Sequence, residues 1–212
     1  MDATVTVRST SEVGADTIAI EFDSPDGFEA EPGQFVRLTG TVDGESYARF
    51  YTLSSPDMTE SFEVTIGIDE AEGGPFSAHL ASLSAGDSLE MAGPFGSDYY
   101  EGESRVVVLA GGPGIGPAVG IGERALTEGK QVAIVYADRE PAHEARLAEL
   151  EATGATVYVV SSAIEDAVAA TLSGEPGEQV FVYGFGSFVD EAEAAIDAAG
   201  GDPTEAKVEN FG

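Results

Sequence analysis

The chain has 212 residues and no cysteine, which excludes disulfides, thiolate zinc sites and a cysteine-ligated iron–sulfur cluster. Its 39 acidic and 9 basic residues leave a net charge of −30, far from the clustered lysine and arginine that nucleic-acid binding requires. The acid is spread along a well-patterned chain and is not gathered in a tail, as in proteins kept soluble in high salt, where the Debye length falls to about 3 Å at 1 M.

The first half reads as strands. Alternating or apolar segments at Thr4–Arg8, Thr17–Phe22, Gln34–Leu38, Tyr47–Leu53, Ser61–Ile68 and Ser88–Ala92 are separated by turn residues such as Glu31-Pro32-Gly33. One short helix is expected near Phe76–Leu83. Short strands at this spacing predict an antiparallel six-stranded β-barrel. After Gly102 the pattern changes. Buried-type strands at Arg105–Ala110, Gln131–Tyr136, Ala155–Val160 and Gln179–Tyr183 alternate with helices at Pro117–Glu128, Ala142–Ala152 and Phe188–Ala199. This alternation predicts an α/β doubly wound parallel sheet with ligands at the carboxyl ends of its strands. Two domains are expected, residues 1–98 and 99–212, with the junction in the Gly-, Ser-, Tyr- and acid-rich stretch Ser97–Ser104.

Two motifs carry the chemistry. In Arg49-Phe50-Tyr51-Thr52-Leu53-Ser54-Ser55, residues 49 and 51 share one face of a strand. An arginine fork there suits a diphosphate, and a tyrosine ring can lie flat on an aromatic heterocycle. The plainer reading is a surface arginine beside a core tyrosine. The second motif, Gly111-Gly112-Pro113-Gly114-Ile115-Gly116-Pro117, follows a strand and opens a helix, the context of a nucleotide-binding loop. It lacks the GxGxxG spacing, and it also reads as a tight strand-to-helix turn. Between them, Gly73-Gly74-Pro75-Phe76-Ser77 precedes the short helix and would offer amides and a hydroxyl to an anion. Gly93-Pro94-Phe95-Gly96 reads as a junction turn. His79 and His143 are isolated, so no metal site is expected.

The order and spacing of these pieces resemble the ferredoxin–NADP(+) reductase superfamily of FAD-dependent NAD(P)H oxidoreductases, here of a halophilic type. Further segments carry the likeness: Pro32-Gly33-Gln34-Phe35, Gly86-Asp87 and the terminal Val208-Glu209-Asn210-Phe211. The resemblance implies FAD as cofactor and NADH or NADPH as co-substrate. It implies Arg49 on the flavin diphosphate with the Gly73–Ser77 segment, Tyr51 stacked on the isoalloxazine, Phe50 between them, and Thr52 bonded near flavin N5. Gly112, Pro113, Gly114 and Ile115 would face the nicotinamide nucleotide. Glu209 and Phe211 would approach the flavin from the nicotinamide side, with Tyr183 lining the same pocket where many members have a cysteine. Pro113 and Gly116 stand where the family usually has threonines.

Asp138 and Arg139 follow the second strand of the α/β half, with Arg146 further on. Asp138 would accept a bond from a ribose and repel a 2′-phosphate, which favours NADH. The implied acceptor is a ferredoxin or flavodoxin. Two other readings compete. One is a reductase subunit of a multicomponent system. The other is a flavin-binding electron carrier or redox sensor with weak or lost NAD(P)H binding. The first residues show no basic region followed by an apolar core, and no apolar run approaches the roughly 20 residues of a membrane span. A cytoplasmic protein without membrane contact is expected.

Overall fold

The computed structural model describes residues 1–68 and 74–212. Its first sheet contains β1 (Asp2–Gly14), β2 (Thr17–Asp23), β3 (Phe35–Val42), β4 (Glu45–Thr52), β5 (Ser61–Gly67) and β6 (Ser88–Phe95), in the order β4-β3-β6-β1-β2-β5. All its pairings are antiparallel. A bridge between Leu53 and Val64 joins the two edges, so the sheet curls into a barrel. Its interior is filled by alternating residues such as Ile20, Phe22, Val36, Leu38, Phe62 and Val64, each fully buried. Helix α1 (Gly74–Ala81) plugs one end with Phe76 and Leu80.

Strand β1 is longer than the expected Thr4–Arg8. Its first part pairs with β6 up to Thr6, and its polar remainder pairs with β2 across a register shift between Val7 and Ser9. Ser9–Glu12 have no apolar alternation. Backbone pairing holds them in the sheet, helped by the Ser9 hydroxyl donating to Glu21 and the Thr10 hydroxyl to the Leu83 carbonyl, each at 3.2 Å.

The second sheet is parallel throughout. It contains β7 (Arg105–Gly111), β8 (Gln131–Ala137), β9 (Thr156–Val160), β10 (Glu178–Gly184) and β11 (Lys207–Asn210), in the order β11-β10-β7-β8-β9. Helices α2 (Ile115–Thr127) and α3 (Glu144–Ala152) cover one face, against Val106, Val108 and Ile134. Helices α4 (Glu165–Thr171) and α5 (Gly186–Ala198) cover the other, against Val107, Leu109 and Val135. Burial on both faces is why β7 and β8 are apolar without alternation. Helix α4 has no counterpart among the expected helices. Its seven residues bury only Ala167, Val168 and Thr171, too short a stripe to stand out as periodic.

Candidate functional site

The two domains meet along a seam, and a cavity of about 310 Å³ opens there. That volume lies at the lower end of small-molecule sites. The barrel contributes Arg49, Tyr51 and Thr52 from β4, Ser77 from α1, and Thr65 and Gly67 from β5. The α/β domain contributes Gly112, Pro113 and Pro117 from the glycine-rich loop and helix start, Asp138 after β8, and the rings of Phe185 and Phe211. Residues more than 150 positions apart thus line one space.

On β4, Arg49 and Tyr51 share a face as strand geometry requires. The Arg49 guanidinium is exposed and donates only to the Ala48 carbonyl at 2.9 Å, with no carboxylate in ion-pair range among the described residues. The Tyr51 phenol is pushed up to about 12 by burial, against a smaller opposing pull from the Arg49 charge. Phe50 points to the other face, 59% exposed, and meets Phe35 edge-on at 5.5 Å, while still reaching the cavity. Thr52 is buried, and its hydroxyl has no hydrogen-bond partner among the described residues. A buried hydroxyl left unpaired is uncommon in native proteins.

The segment before α1 is only partly in the site. Gly73 lies outside the described residues. Gly74 opens the helix at a φ of +65°, in the left-handed region that favours glycine, but neither it nor Pro75 lines the cavity. Phe76 faces the barrel core, its ring stacked on Tyr47 at 6.1 Å. Ser77 reaches the cavity and donates to the Gly74 carbonyl at 3.0 Å.

The glycine-rich loop divides in the same way. Gly112 and Pro113 line the cavity, whereas Gly114 and Ile115 are packing residues. A Cβ on Gly114 would collide with the Tyr183 carbonyl, and Ile115 sits in the core beneath α2. Gly116 stands where the resemblance leads one to look for a hydroxyl, and the seam explains it. A Cβ there would lie 2.5 Å from both Ser54 Oγ and Thr65 Oγ1. One turn on, a Cβ on Gly120 would lie 2.8 Å from the Ser54 carbonyl. Helix α2 therefore lies directly on the barrel through these two glycines.

Around that contact runs a polar network. Ser54 Oγ and Thr65 Oγ1 are 2.8 Å apart, and Thr65 Oγ1 is 2.9 Å from His143 Nε2. Burial, with the nearby Arg146 charge, pushes the His143 imidazole down to about 4, so it is neutral at ordinary pH. Arg146 donates to Glu123 at 2.7 and 2.8 Å, to Glu63 at 2.8 Å and to the Ser54 carbonyl at 2.7 Å. It clasps the domains together and does not reach toward a nucleotide phosphate. Arg139 is exposed and does not line the cavity. Asp138 does, accepting from the Tyr136 hydroxyl at 3.1 Å and the Glu140 amide at 3.0 Å.

The C-terminal residues are tied down. Phe211 N donates to the Gly184 carbonyl at 2.9 Å, and its ring meets Phe185 edge-on at 6.0 Å. Glu209 lies just behind the cavity wall. Burial pushes its carboxyl up to about 7, Asp98 adds to the rise, and the nearby Thr52 hydroxyl offsets part of it without closing a hydrogen bond. Tyr183, expected to line the pocket, does not. It is fully buried in the seam, its ring stacked on Phe181 at 6.4 Å and its hydroxyl against the Gly33 turn. Strand β10 directs that side chain toward the barrel, and the space over the cavity falls to Phe185 and Phe211.

Asp16, Thr17, Thr65, Ile66, Gly67, Pro117 and Phe185 also line the cavity and were not among the residues expected from sequence. Phe185 follows the carboxyl end of β10, where open α/β sheets place ligands, and that signal was legible. The others arrive through strand register and domain packing. Among the described residues no group of three or more His, Asp or Glu could hold a metal ion, and no helix is long and apolar enough to cross a membrane.

Residues 4–100 match the model of the oxidoreductase FAD-binding domain. The match covers a little under half of the chain, nearly the whole of the antiparallel barrel. The whole chain has the two-domain fold of the ferredoxin–NADP(+) reductase superfamily. It superposes on the flavohem-like FAD/NAD-binding domain of a Vibrio cholerae nitric oxide dioxygenase with a TM-score of 0.83 at 19% identity, covering 99% of this chain and 98% of that one. A Neisseria gonorrhoeae ferredoxin NADP+ reductase, solved with FAD and NADP bound, gives 0.78 at 17% identity over 100% and 99% of the two chains. In sequence, a probable dihydroorotate dehydrogenase B electron transfer subunit of Methanopyrus kandleri is 37% identical over 136 residues, 62% of this chain and 47% of that protein. A Candida albicans flavohemoprotein is 31% identical over 112 residues, 51% and 28% of the two. The chain thus spans less than half the length of these two curated relatives.

Proposed function

We propose that the protein is an FAD-dependent NAD(P)H oxidoreductase that takes a hydride from the nicotinamide and passes electrons to a partner. The observation that carries this reading is convergence. The Arg49–Thr52 motif of a FAD-binding domain and the Gly112–Pro113 loop of a parallel α/β domain open onto one cavity.

The residues fit the cofactor. Arg49 would bind the FAD diphosphate with Ser77, Tyr51 would lie against the flavin, and the unpaired Thr52 hydroxyl would find its partner there. Held there, FAD would supply the hydride acceptor and the route for electrons to a partner. The chain's own part is to orient and enclose. Gly112 and Pro113 admit the nucleotide, Glu209 behind Thr52 holds a proton near neutral pH, and Phe185 with Phe211 occupies the nicotinamide side. Asp138 at the cavity and the engagement of Arg146 across the seam favour NADH over NADPH. The division between domains is placed at residues 98 and 99, and the working environment is a salt-rich cytoplasm.

A second reading, a reductase subunit of a larger assembly, draws support from relatives described as electron transfer components. Besides the M. kandleri protein, a Pseudomonas putida toluate 1,2-dioxygenase electron transfer component is 37% identical over 100 residues, 46% of this chain and 29% of that protein. Anaerobic addition of NADH to the purified, FAD-loaded protein in molar KCl tests the main reading. Rapid bleaching of the flavin spectrum is expected. A protein that takes up no FAD in high salt, or whose flavin is not reduced by either nucleotide, would overturn it.

A further inference from the structure

Behind the cavity wall lies a group of side chains that the proposed chemistry does not fully use. Pairing of β10 with β11 sets Tyr183 directly beside Glu209, and one step back it sets Phe181 beside Lys207. The two pairs share one face of the sheet, because residues two apart on a strand do. Lys207 is occupied. Its ammonium donates to the Tyr99 carbonyl at 2.6 Å and to Glu101 and Glu103 at 2.8 Å each, and it lies over the Phe181 ring at 5.3 Å. It thereby pins the interdomain linker across the sheet face and leaves Glu209 without a cation.

Two buried hydroxyls act on that carboxyl, Thr52 Oγ1 from β4 and Tyr183 Oη from the paired position on β10, and neither has a hydrogen-bond partner among the described residues. These are the only two buried side-chain polar atoms in that condition among the described residues. Tyr183 cannot withdraw, since its ring is packed on Phe181 and its hydroxyl abuts the Gly33 turn. The charged groups near it are Glu209, Asp98 and Glu103, all acidic. The groups facing Glu209 are Thr52 from β4, Tyr183 from β10 and Asp98 from the linker.

We propose that Tyr183 is a positioning residue for Glu209: its phenol supplies the hydrogen-bond donor that the Glu209 carboxylate takes up when it gives its proton away. The chemistry follows from the inventory of donors. A protonated carboxyl spends one oxygen as an O–H donor and has less acceptor capacity, and neither hydroxyl is bonded to it or to any other described group. An ionised carboxylate is acceptor-only, with capacity for several donors, and bonds to it are among the stronger ones. Loss of the proton toward Thr52 would therefore be answered from β10 by Tyr183, with no cation required. A cysteine at this position, with a weak S–H donor, would answer poorly.

This inference rests on the proposed role of Glu209 as the proton-holding group, but it is tested apart from enzymatic turnover. Infrared difference spectra of the full chain in molar KCl, recorded from pH 5 to 9, follow the protonated carboxyl C=O band, and the band lost in Glu209→Gln identifies the residue. The wild-type midpoint is expected near the value of about 7 toward which burial drives the group. Tyr183→Phe, which keeps the ring and its packing, is expected to move the midpoint upward by about one pH unit, as removal of a donor to the charged form requires. Asp98→Asn removes a repelling charge and is expected to move it downward, showing that the band responds to its surroundings. A midpoint in Tyr183→Phe that matches the wild type while Asp98→Asn shifts overturns the inference. So does a downward shift in Tyr183→Phe. If the phenylalanine variant fails to fold, Tyr183→Cys takes its place with the same expected direction. Absence of flavin reduction by NADH or NADPH would count against the oxidoreductase reading and leave the Tyr183–Glu209 titration intact.

Discussion

At the scale of single residues the site is governed by what each side chain lacks. Arg49 is a cation without a carboxylate partner among the described residues, as are Arg37, Lys130 and Arg139, but of these four only Arg49 lines the cavity. Arg49→Ala is expected to weaken FAD binding by about 1.5–3 kcal/mol, the range for a charge-assisted bond, or roughly 10- to 100-fold in Kd by fluorescence titration. Glu209 makes a pH-dependent contribution to stability. Its folded carboxyl titrates near 7 against an ordinary 4.5, so between those values the folded protein holds a proton that the unfolded chain has released. Stability therefore falls as pH rises through that window. Glu209→Gln, which never ionises, is expected to be the more stable form at pH 8 by on the order of 2 kcal/mol, and level with the wild type near pH 4. Thermal midpoints at the two pH values check this, and a variant less stable at pH 8 would show that the carboxylate is well solvated. Arg49, Tyr51 and Thr52 were legible because a strand's period of two puts 49 and 51 on one face. The commitments of Tyr183 and Arg146 were not, because their partners, Gly33, Ser54 and Glu63, lie more than 80 positions away.

At the scale of elements, helix α2 does most of the joining. Its glycines at 116 and 120, one turn apart, let the helix rest on Ser54, Ser55 and Thr65. Ser54 and Thr65 are hydrogen-bonded to each other, Thr65 is also bonded to His143, and the Ser54 carbonyl accepts from Arg146, so they cannot retreat from an added methyl. Gly116→Ala and Gly120→Ala are each expected to cost about 1–3 kcal/mol, read from the urea midpoint, despite alanine's better helix propensity. Gly122→Ala is the contrast. Its Cβ would meet only the ends of Ile134 and Leu150 at 3.3 Å, and the propensity gain should leave stability unchanged or higher. Equal effects at all three positions would refute the close approach of α2. Strand β11 acts at the other end of the cavity by holding the tail. Phe211 is bonded through its backbone to Gly184 and braced by Phe185, so on the proposed function its ring would cover the nicotinamide side. Deleting Phe211-Gly212 is expected to tighten nicotinamide binding several-fold in stopped-flow titration. No change would mean that the ring does not gate the site.

At the scale of the whole molecule, a charge of −30 sets the conditions under which everything else holds. With 39 acids and 9 bases, most carboxylates have no cation to pair with. Salt shortens the reach of their mutual repulsion to a few ångströms. The unfolding midpoint is expected to climb steadily from dilute buffer to molar KCl, with the FAD-loaded protein following the same trend. A midpoint independent of salt would contradict the reading of the charge as a halophilic adaptation.

Local pattern was enough to determine the two-sheet architecture. Periodicity separates an antiparallel half from a parallel one because a sheet exposed on one face alternates and a sheet buried on both does not. Motif order then places a flavin-type strand before a nucleotide-type loop. Which residues of those motifs meet on one cavity was decided only in three dimensions. Gly112 and Pro113 reach it while Gly114 and Ile115 turn into packing, and Ser77 reaches it while Phe76 fills the barrel. A sequence motif marks a backbone path, but the direction of each side chain along that path depends on what the other domain leaves room for. The seam residues Ser54, Thr65, His143 and Arg146 carry no motif, because their roles come from contacts between distant segments that no local pattern encodes.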